Sequence, residues 1–185
     1  GILPDRLDAV RRELDNASGS HDVLITSGGV STGEEDHIKA AVEALGNLYF
    51  WRLAIRPGRP IALGQVGRVP FVGLPGNPVA VLVTFMRFAR PLVLRLSGAA
   101  EVEPQHYPVR ADFDYKKKKG RREWLRARLR MLDDGSVAAE KYGRGGAGIL
   151  SSVVFADGLI ELAEDVTQVE RGMTVDFLPF NEMMR

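Results

Sequence analysis

An α/β domain followed by a small all-β, barrel-like domain is the architecture this sequence predicts. Three observations carry that reading. Residues 5–96 run helix, strand, helix, strand, hairpin, helix; Ser97-Gly98-Ala99-Ala100 is a natural break; beyond it the hydrophobic period changes from helical to alternating. The expected bounds are 1–98 for the first domain and 101–185 for the second. At 45% hydrophobic and 26% charged residues, the chain can fill two small cores and is not of a disordered type.

Residues 5–17 predict a helix, with Asp5 as N-cap and Leu7, Val10 and Leu14 at helical spacing. After Ser18-Gly19-Ser20, the run Asp22-Val23-Leu24-Ile25-Thr26 has the continuous apolar character of a buried parallel strand. A glycine loop, Ser27 to Gly33, leads into a second helix over about 34–45, where Ile38, Ala41, Val42 and Leu45 form the apolar stripe. Thr32 and Glu35 have capping-box spacing, and Gly46 ends that helix. Residues 48–55 suit a further strand. Arg56-Pro57-Gly58-Arg59-Pro60 must be irregular, because two prolines and a glycine cannot continue a ladder.

Pro60 to Leu63 and Val69 to Val72 predict a hairpin joined through Gly64-Gln65-Val66-Gly67. The loop Gly73-Leu74-Pro75-Gly76-Asn77-Pro78 then opens a long helix that ends near Leu96 and is kinked at Pro91. In the second domain Leu125 to Met131 alternates apolar and polar, which puts Arg126, Arg128 and Arg130 on one wet face. Asp133-Asp134-Gly135-Ser136 reads as the turn before Val137, and Gly158 to Leu162 and Met173 to Leu178 are further short strands. Lys116 to Lys119 is expected to be a solvated hairpin tip.

Composition removes several function classes. The formal charge is +1 and evenly spread, so neither half has the basic excess of a nucleic-acid binder. With no cysteine there are no disulfides, thiolate metal sites or cysteine nucleophiles. No apolar run approaches the roughly 20 residues of a membrane span. No signal peptide is visible, and the expected location is cytoplasmic. His21, His37 and His106 lack metal-ligand spacing. There is no Gly-x-x-x-x-Gly-Lys-Ser/Thr loop and no Gly-x-Ser-x-Gly elbow. An anionic small molecule met by a few arginines is the ligand class best supported.

Three glycine-rich loops follow strand-like segments, and in an open α/β sheet ligands bind outside the carboxyl ends of the strands. In the first, Thr26, Ser27, Gly28, Gly29, Ser31 and Gly33 combine hydroxyl donors with small residues that let a phosphate reach the main chain. A tight strand-to-helix turn without a ligand explains the same residues. Asp36, in the next helix's first turn, either complements the helix dipole, worth roughly 0.3–1 kcal/mol, or holds a metal ion such as Mg²⁺. Glu34 and Glu35 could serve the dipole equally well, so three acids exceed that need.

Arg52, Arg56 and Arg59 flank the second loop. Single surface arginines are commonplace, but three about a rigid turn offer planar forks for an oxyanion such as phosphate. In the third loop, helix entry alone explains Asn77 as N-cap and Pro78 at the first helical position. It does not explain the stiffening at Pro75.

The three loops in this order resemble those of molybdopterin molybdenumtransferases, the family that includes the E domain of gephyrin. The matching segments are Thr26 to Asp36, Trp51 to Pro60 and Gly73 to Ala80, and the likeness continues through the β domain. The resemblance implies a pterin-binding α/β domain followed by a β-barrel. It implies a reaction in which molybdate meets adenylylated molybdopterin, AMP leaves, and molybdenum ends on the dithiolene sulfurs, with Mg²⁺ as helper. It also implies a C-terminal piece of a longer protein: members carry further domains ahead of this segment, and their α/β domain begins with a strand and helix not present here. Gly1 in place of methionine agrees.

By the same resemblance Asp36 is the family's acid after the glycine loop, and Asp5 the earlier acid that begins the preceding helix. Both are expected at the metal and the reaction. Arg52, Arg56 and Arg59 stand where bacterial members usually have lysine, which keeps the charge and changes its geometry. Arg126 matches a basic position in the β domain. Ala147 stands where a serine is frequent, so a hydroxyl contact is missing. Pro75, Gly76, Asn77 and Pro78 make up the third loop of the cofactor site.

The family implies a homodimer whose site the second subunit helps to line, and molybdopterin adenylyltransferase is a candidate partner. Both substrates are anions, so they repel unless cations and N–H dipoles gather them. Arg52 and Arg56 are therefore expected on molybdate or phosphate oxygens, the Gly28 and Gly29 amides on the pterin phosphate, and Asp36 on Mg²⁺. Two rivals stand beside this reading. Molybdopterin adenylyltransferase shares the α/β domain and the Ser-Gly-Gly loop but lacks the β domain; a non-catalytic, gephyrin-like scaffold module is the other.

Overall fold

The computed structural model describes residues 1–30, 37–143, 146 and 148–184. Ser31, Thr32, Gly33, Glu34, Glu35, Asp36 and Ala147 lie outside the described residues. The chain divides into two compact units: Gly1–Leu53 with Gly58–Val102, and Ala54–Pro57 with Glu103–Arg185. Residues 54–57, expected in the first domain, therefore belong to the second unit.

The first unit begins with α1 (Leu7–Ser18), β1 (Leu24–Ser27), α2 (His37–Leu45) and β2 (Gly46–Arg52). A two-residue strand, β3 (Ile55–Arg56), belongs to the other unit; β4 (Pro60–Val66) and β5 (Val69–Leu74) return to the first. The strand expected over 48–55 is thus broken at Leu53-Ala54. The sheet order is β1-β5-β4-β2. β1 runs parallel to β5, while β4 is antiparallel to both β5 and β2. Three strands therefore point one way and only β4 opposes them. Val10 and Leu14 of α1 and Ile38, Ala41 and Val42 of α2 pack with Leu24, Ala62, Val66 and Phe71 of the sheet in one apolar core.

Three local expectations need correction. The N-cap of α1 is Arg6, which makes no side-chain capping bond. The Arg6 amide donates to the Pro4 carbonyl at 2.9 Å, and this turn leaves Asp5 ahead of the helix. Asp8 supplies the acidic charge in the first turn. The hairpin turn is Gly67-Arg68, since Gly64, Gln65 and Val66 lie within β4. Gly64 marks a close strand approach: a Cβ there would sit 2.4 Å from the Asn47 carbonyl oxygen.

The third correction concerns the long helix. It is three segments, α3 (Pro78–Thr84), a π-helical turn (Phe85–Ala89) and α4 (Arg90–Leu96). Pro91 has no N–H, and its ring crowds the carbonyl four residues back. The wider turn just ahead of it, in which the Arg90 amide bonds the Phe85 carbonyl, takes up that strain.

The second unit adds β6 (Tyr107–Ala111), β7 (Tyr115–Lys116), β8 (Arg122–Met131), β9 (Val137–Lys141), α5 (Ser151–Phe155), β10 (Gly158–Leu162), β11 (Gln168–Val169), β12 (Thr174–Pro179) and α6 (Phe180–Met184). Strands follow in the order β10-β12-β6-β9-β8, and a β8–β10 pairing closes the ring into a five-stranded barrel. Phe113, Leu125, Ile160, Leu162 and Phe177 fill it. β3 adds in parallel to β8, with Arg56 opposite Glu123.

Two sequence expectations fail here. Arg126 is only 8% exposed, whereas Arg128 and Arg130 face solvent and pair with Glu140 and Asp112. Lys117 is buried, and its Nζ donates to the Val166 carbonyl at 2.9 Å, because residues 164–167 pass over it beside the β7–β11 ribbon. Among the described residues no helix is long and apolar enough to cross a membrane.

Candidate functional site

Strand directions in the first unit decide which loops meet. β1, β5 and β2 all end at one edge of the sheet, and β4 begins there. Ser27 opposes Leu74, Ala62 opposes Gly73, and Arg52 opposes Pro60. Continuing these registers by one or two residues aligns Gly28, Pro75, Pro60 and Arg52 in one row. The Gly28 amide donates to the carbonyls of Leu74 at 3.0 Å and Pro75 at 3.3 Å, tying the first loop to the third. Strands lie about 4.8 Å apart, so the row spans roughly 14 Å. That suits an extended phosphorylated ligand better than a bare ion.

The chemistry along this row is donor-rich. Gly28 (φ +82°) and Gly29 (φ +64°) are both left-handed. A Cβ on Gly28 would meet open space, so the conformation, not crowding, asks for glycine. Thr26 Oγ1 is buried with no hydrogen-bond partner among the described residues, and Ser27 is exposed. Pro75 is buried; Gly76, Asn77 and Pro78 are exposed. Asn77 does occupy the N-cap position of α3, yet its side chain makes no capping bond. Helix entry therefore leaves its amide uncommitted. Arg52 and Arg59 are exposed, and neither guanidinium has a carboxylate partner among the described residues.

Arg56 departs from that pair. It lies in the second unit, at a cleft of about 400 Å³ lined by Arg56, Pro57, Tyr115, Trp124, Arg126, Lys141 and Tyr142 among others. Arg126 is held from beneath: its Nε donates to Ser152 Oγ at 3.1 Å and its Nη2 to the Gly146 carbonyl at 3.1 Å. Burial, and then the charge of Arg56, push the Arg126 guanidinium below its ordinary range. Burial, and then Arg126, do the same to Lys141. Three cations crowd one concave surface, with aromatic rings on its walls. That is an arrangement for an anion.

Spacing alone did not reveal Tyr115, Lys141 and Tyr142 as parts of this cleft, or Glu123 as the buried carboxylate that Tyr115 bonds. One signal was available: Glu123 is the only acid between Lys116 and Met131.

Of the two acids expected at the metal, only Asp5 lies among the described residues. Asp5 is exposed and lines a groove between α1 and α2 together with His37, the residue after Asp36 in the chain. Ser31, Gly33 and Asp36 lie outside the described residues. Among those described, no set of three or more histidine, aspartate or glutamate side chains gathers to hold a metal.

Known proteins place the chain in a class. Residues 1–95 match the family model described as a probable molybdopterin binding domain, and residues 108–180 match that of the MoeA C-terminal region (domain IV). The chain belongs to this molybdopterin-binding family of molybdenum cofactor biosynthesis. Over all 185 residues it is 36% identical to the molybdopterin molybdenumtransferase of Haemophilus influenzae, of whose length it covers 46%. It is 33% identical over 114 residues, 53% of this chain and 16% of the relative, to gephyrin of Dictyostelium discoideum. Among solved structures it is similar to the molybdopterin biosynthesis MoeA protein of Pyrococcus horikoshii, with a TM-score of 0.76 at 27% identity, covering 97% of this chain and 42% of that one. The chain thus spans less than half the length of these curated relatives.

Proposed function

We propose that the chain carries the pterin-binding and oxyanion-binding parts of a molybdopterin molybdenumtransferase, which inserts molybdenum from molybdate into adenylylated molybdopterin and releases AMP. The observation that supports this most is the row at the sheet edge, which carries glycine amides, Asn77, and Arg52 and Arg59 without a carboxylate partner among the described residues. In this reading the Gly28 and Gly29 amides cradle the pterin phosphate or pyrophosphate, with Thr26 and Ser27 as hydroxyl donors. Arg52 and Arg59 neutralise its oxygens. Arg56 and Arg126 take molybdate in the second unit's cleft. Fixed guanidinium and N–H dipoles need no reorganisation as charge shifts to the departing AMP, which is how such a site lowers a barrier.

Asp36 stays in the reading as the family's reactive acid, with Asp5 as its companion. Mg²⁺ would neutralise phosphate charge if those two held it. The working form is taken as a cytoplasmic homodimer, supplied with adenylylated pterin by molybdopterin adenylyltransferase.

The test is AMP release on mixing the protein with adenylylated molybdopterin and molybdate. Asp36→Asn should abolish molybdenum-dependent release and leave folding intact; unchanged turnover would remove Asp36 from the site. Synthesis of pterin-AMP from ATP would favour an adenylyltransferase instead. Failure to bind either substrate would favour a scaffold.

A further inference from the structure

Glu123 is fully buried on β8, in a strand otherwise rich in arginine. Its two carboxylate oxygens have separate partners. Arg121 Nε donates to Oε1 at 2.5 Å, and the Tyr115 hydroxyl donates to Oε2 at 2.7 Å. Arg56 comes third: its Nη1 lies 3.7 Å from Glu123 Oε2 and donates to the Tyr115 hydroxyl oxygen at 3.3 Å. Because the tyrosine proton is committed to the carboxylate, the hydroxyl lone pairs face the arginine. The relay therefore has one direction, from Arg56 to Tyr115 to Glu123.

This ordering bears on the cleft. Arg121 and Tyr115 satisfy the carboxylate, so Arg56 is oriented without being consumed as its main partner. The Arg56 side chain is half exposed, and its other N–H groups have no partner among the described residues. The backbone pairing of Arg56 with Glu123 fixes only the Cα position. A long side chain with several rotatable bonds must still be held if it is to meet an oxyanion in one geometry, and holding it beforehand reduces what binding must order.

We propose that Tyr115 and Glu123 are positioning residues, whose hydroxyl–carboxylate couple presents the Arg56 guanidinium to an oxyanion in the cleft. This rests on the reading of that cleft as an oxyanion site. A purely structural role, in which Glu123 only pins β3 to the barrel, would weaken binding whether or not Arg56 were present. The coupling to Arg56 separates the two.

The experiment is calorimetric titration of sodium molybdate into the unmodified chain, Tyr115→Phe, Arg56→Ala and the double variant. Tyr115→Phe keeps the ring and the buried charge while deleting the relay. It should lower molybdate affinity roughly fivefold to tenfold in the native background and less than about twofold when Arg56 is already alanine. An equal loss in both backgrounds, or no loss in either, overturns the positioning role while leaving the oxyanion site standing. Absence of molybdate binding by the unmodified chain overturns the cleft reading and the positioning role together.

Discussion

The main-chain amide of Gly28 lies 3.0 Å from the carbonyl oxygen of Leu74, although 46 positions separate them in the chain. That bond joins the glycine loop after β1 to the proline-glycine loop after β5. It makes one donor-lined edge out of two turns that are each unremarkable alone. Five expectations follow from this edge and from the cleft in the barrel.

Gly28 holds φ at +82° with open space where a Cβ would go. Gly28→Ala should therefore lose stability through backbone strain alone, about 1–2 kcal/mol in urea unfolding. Asparagine, which tolerates the left-handed region better, should cost less. Equal losses for the two variants would contradict the conformational explanation.

Gly73 sits where any side chain would collide with the core. A Cβ there would lie 2.7 Å from Val30 Cγ1 and 3.0 Å from Ala62 Cβ. Gly73→Ala should cost about 1–3 kcal/mol by overpacking. A thermal midpoint identical to that of the unmodified chain would show that the core below the loop is looser than described.

Arg52→Gln combined with Arg59→Gln should barely move the unfolding midpoint, within about 0.5 kcal/mol, since exposed groups away from partners rarely matter to stability. Binding of pyrophosphate at this edge should fall, and its dependence on salt should flatten. Pyrophosphate affinity unaltered in the double variant would take both arginines out of the site.

Arg126 satisfies Ser152 and the Gly146 carbonyl from a largely buried position. Lysine cannot reproduce that fork. Arg126→Lys should cost about 2 kcal/mol of stability, the scale of a buried charge-assisted hydrogen bond, and should weaken molybdate binding. Retention of both properties would mean that a point charge suffices there.

Lys141 sets a pH dependence. Burial, and then Arg126, hold its folded value below the ordinary 10.5. Between the two values the unfolded chain carries more of this proton than the folded one does, so stability rises with pH through that window. Below the folded value the charged form is destabilising throughout. Bound molybdate should favour the ammonium and reduce the rise. Urea midpoints between pH 7 and pH 9 check this, and Lys141→Met should remove the rise; the Tyr115 hydroxyl, raised from 10.0 by burial and then Glu123, acts in the opposite sense and only at higher pH. A slope that survives the substitution would assign it to another group.

Much of the first unit was legible in the chain because its signals are local. Val23 to Ile25 are apolar and bounded by turn residues, Ile38, Ala41 and Val42 recur at helical spacing, and glycines fall where left-handed turns follow. Errors came where a local signal has two meanings. Gly64 reads locally as a turn residue, but it serves a close strand contact that only the neighbouring β2 reveals. Pro91 marks locally where the helix departs from regular α geometry, but not that the departure is a widened turn just ahead of it.

The amino-acid order by itself determined the two-part architecture, the three loops and the residue types that could meet an anion. These rest on turn chemistry and periodicity, which act over a few neighbouring residues. Only the tertiary structure decided that β1, β5 and β2 end at one edge, that Arg56 parts from Arg52 and Arg59, and that Arg126 is buried beside Lys141. Strand direction and burial arise from contacts between segments far apart in the chain, and no local pattern encodes which partners a side chain will meet.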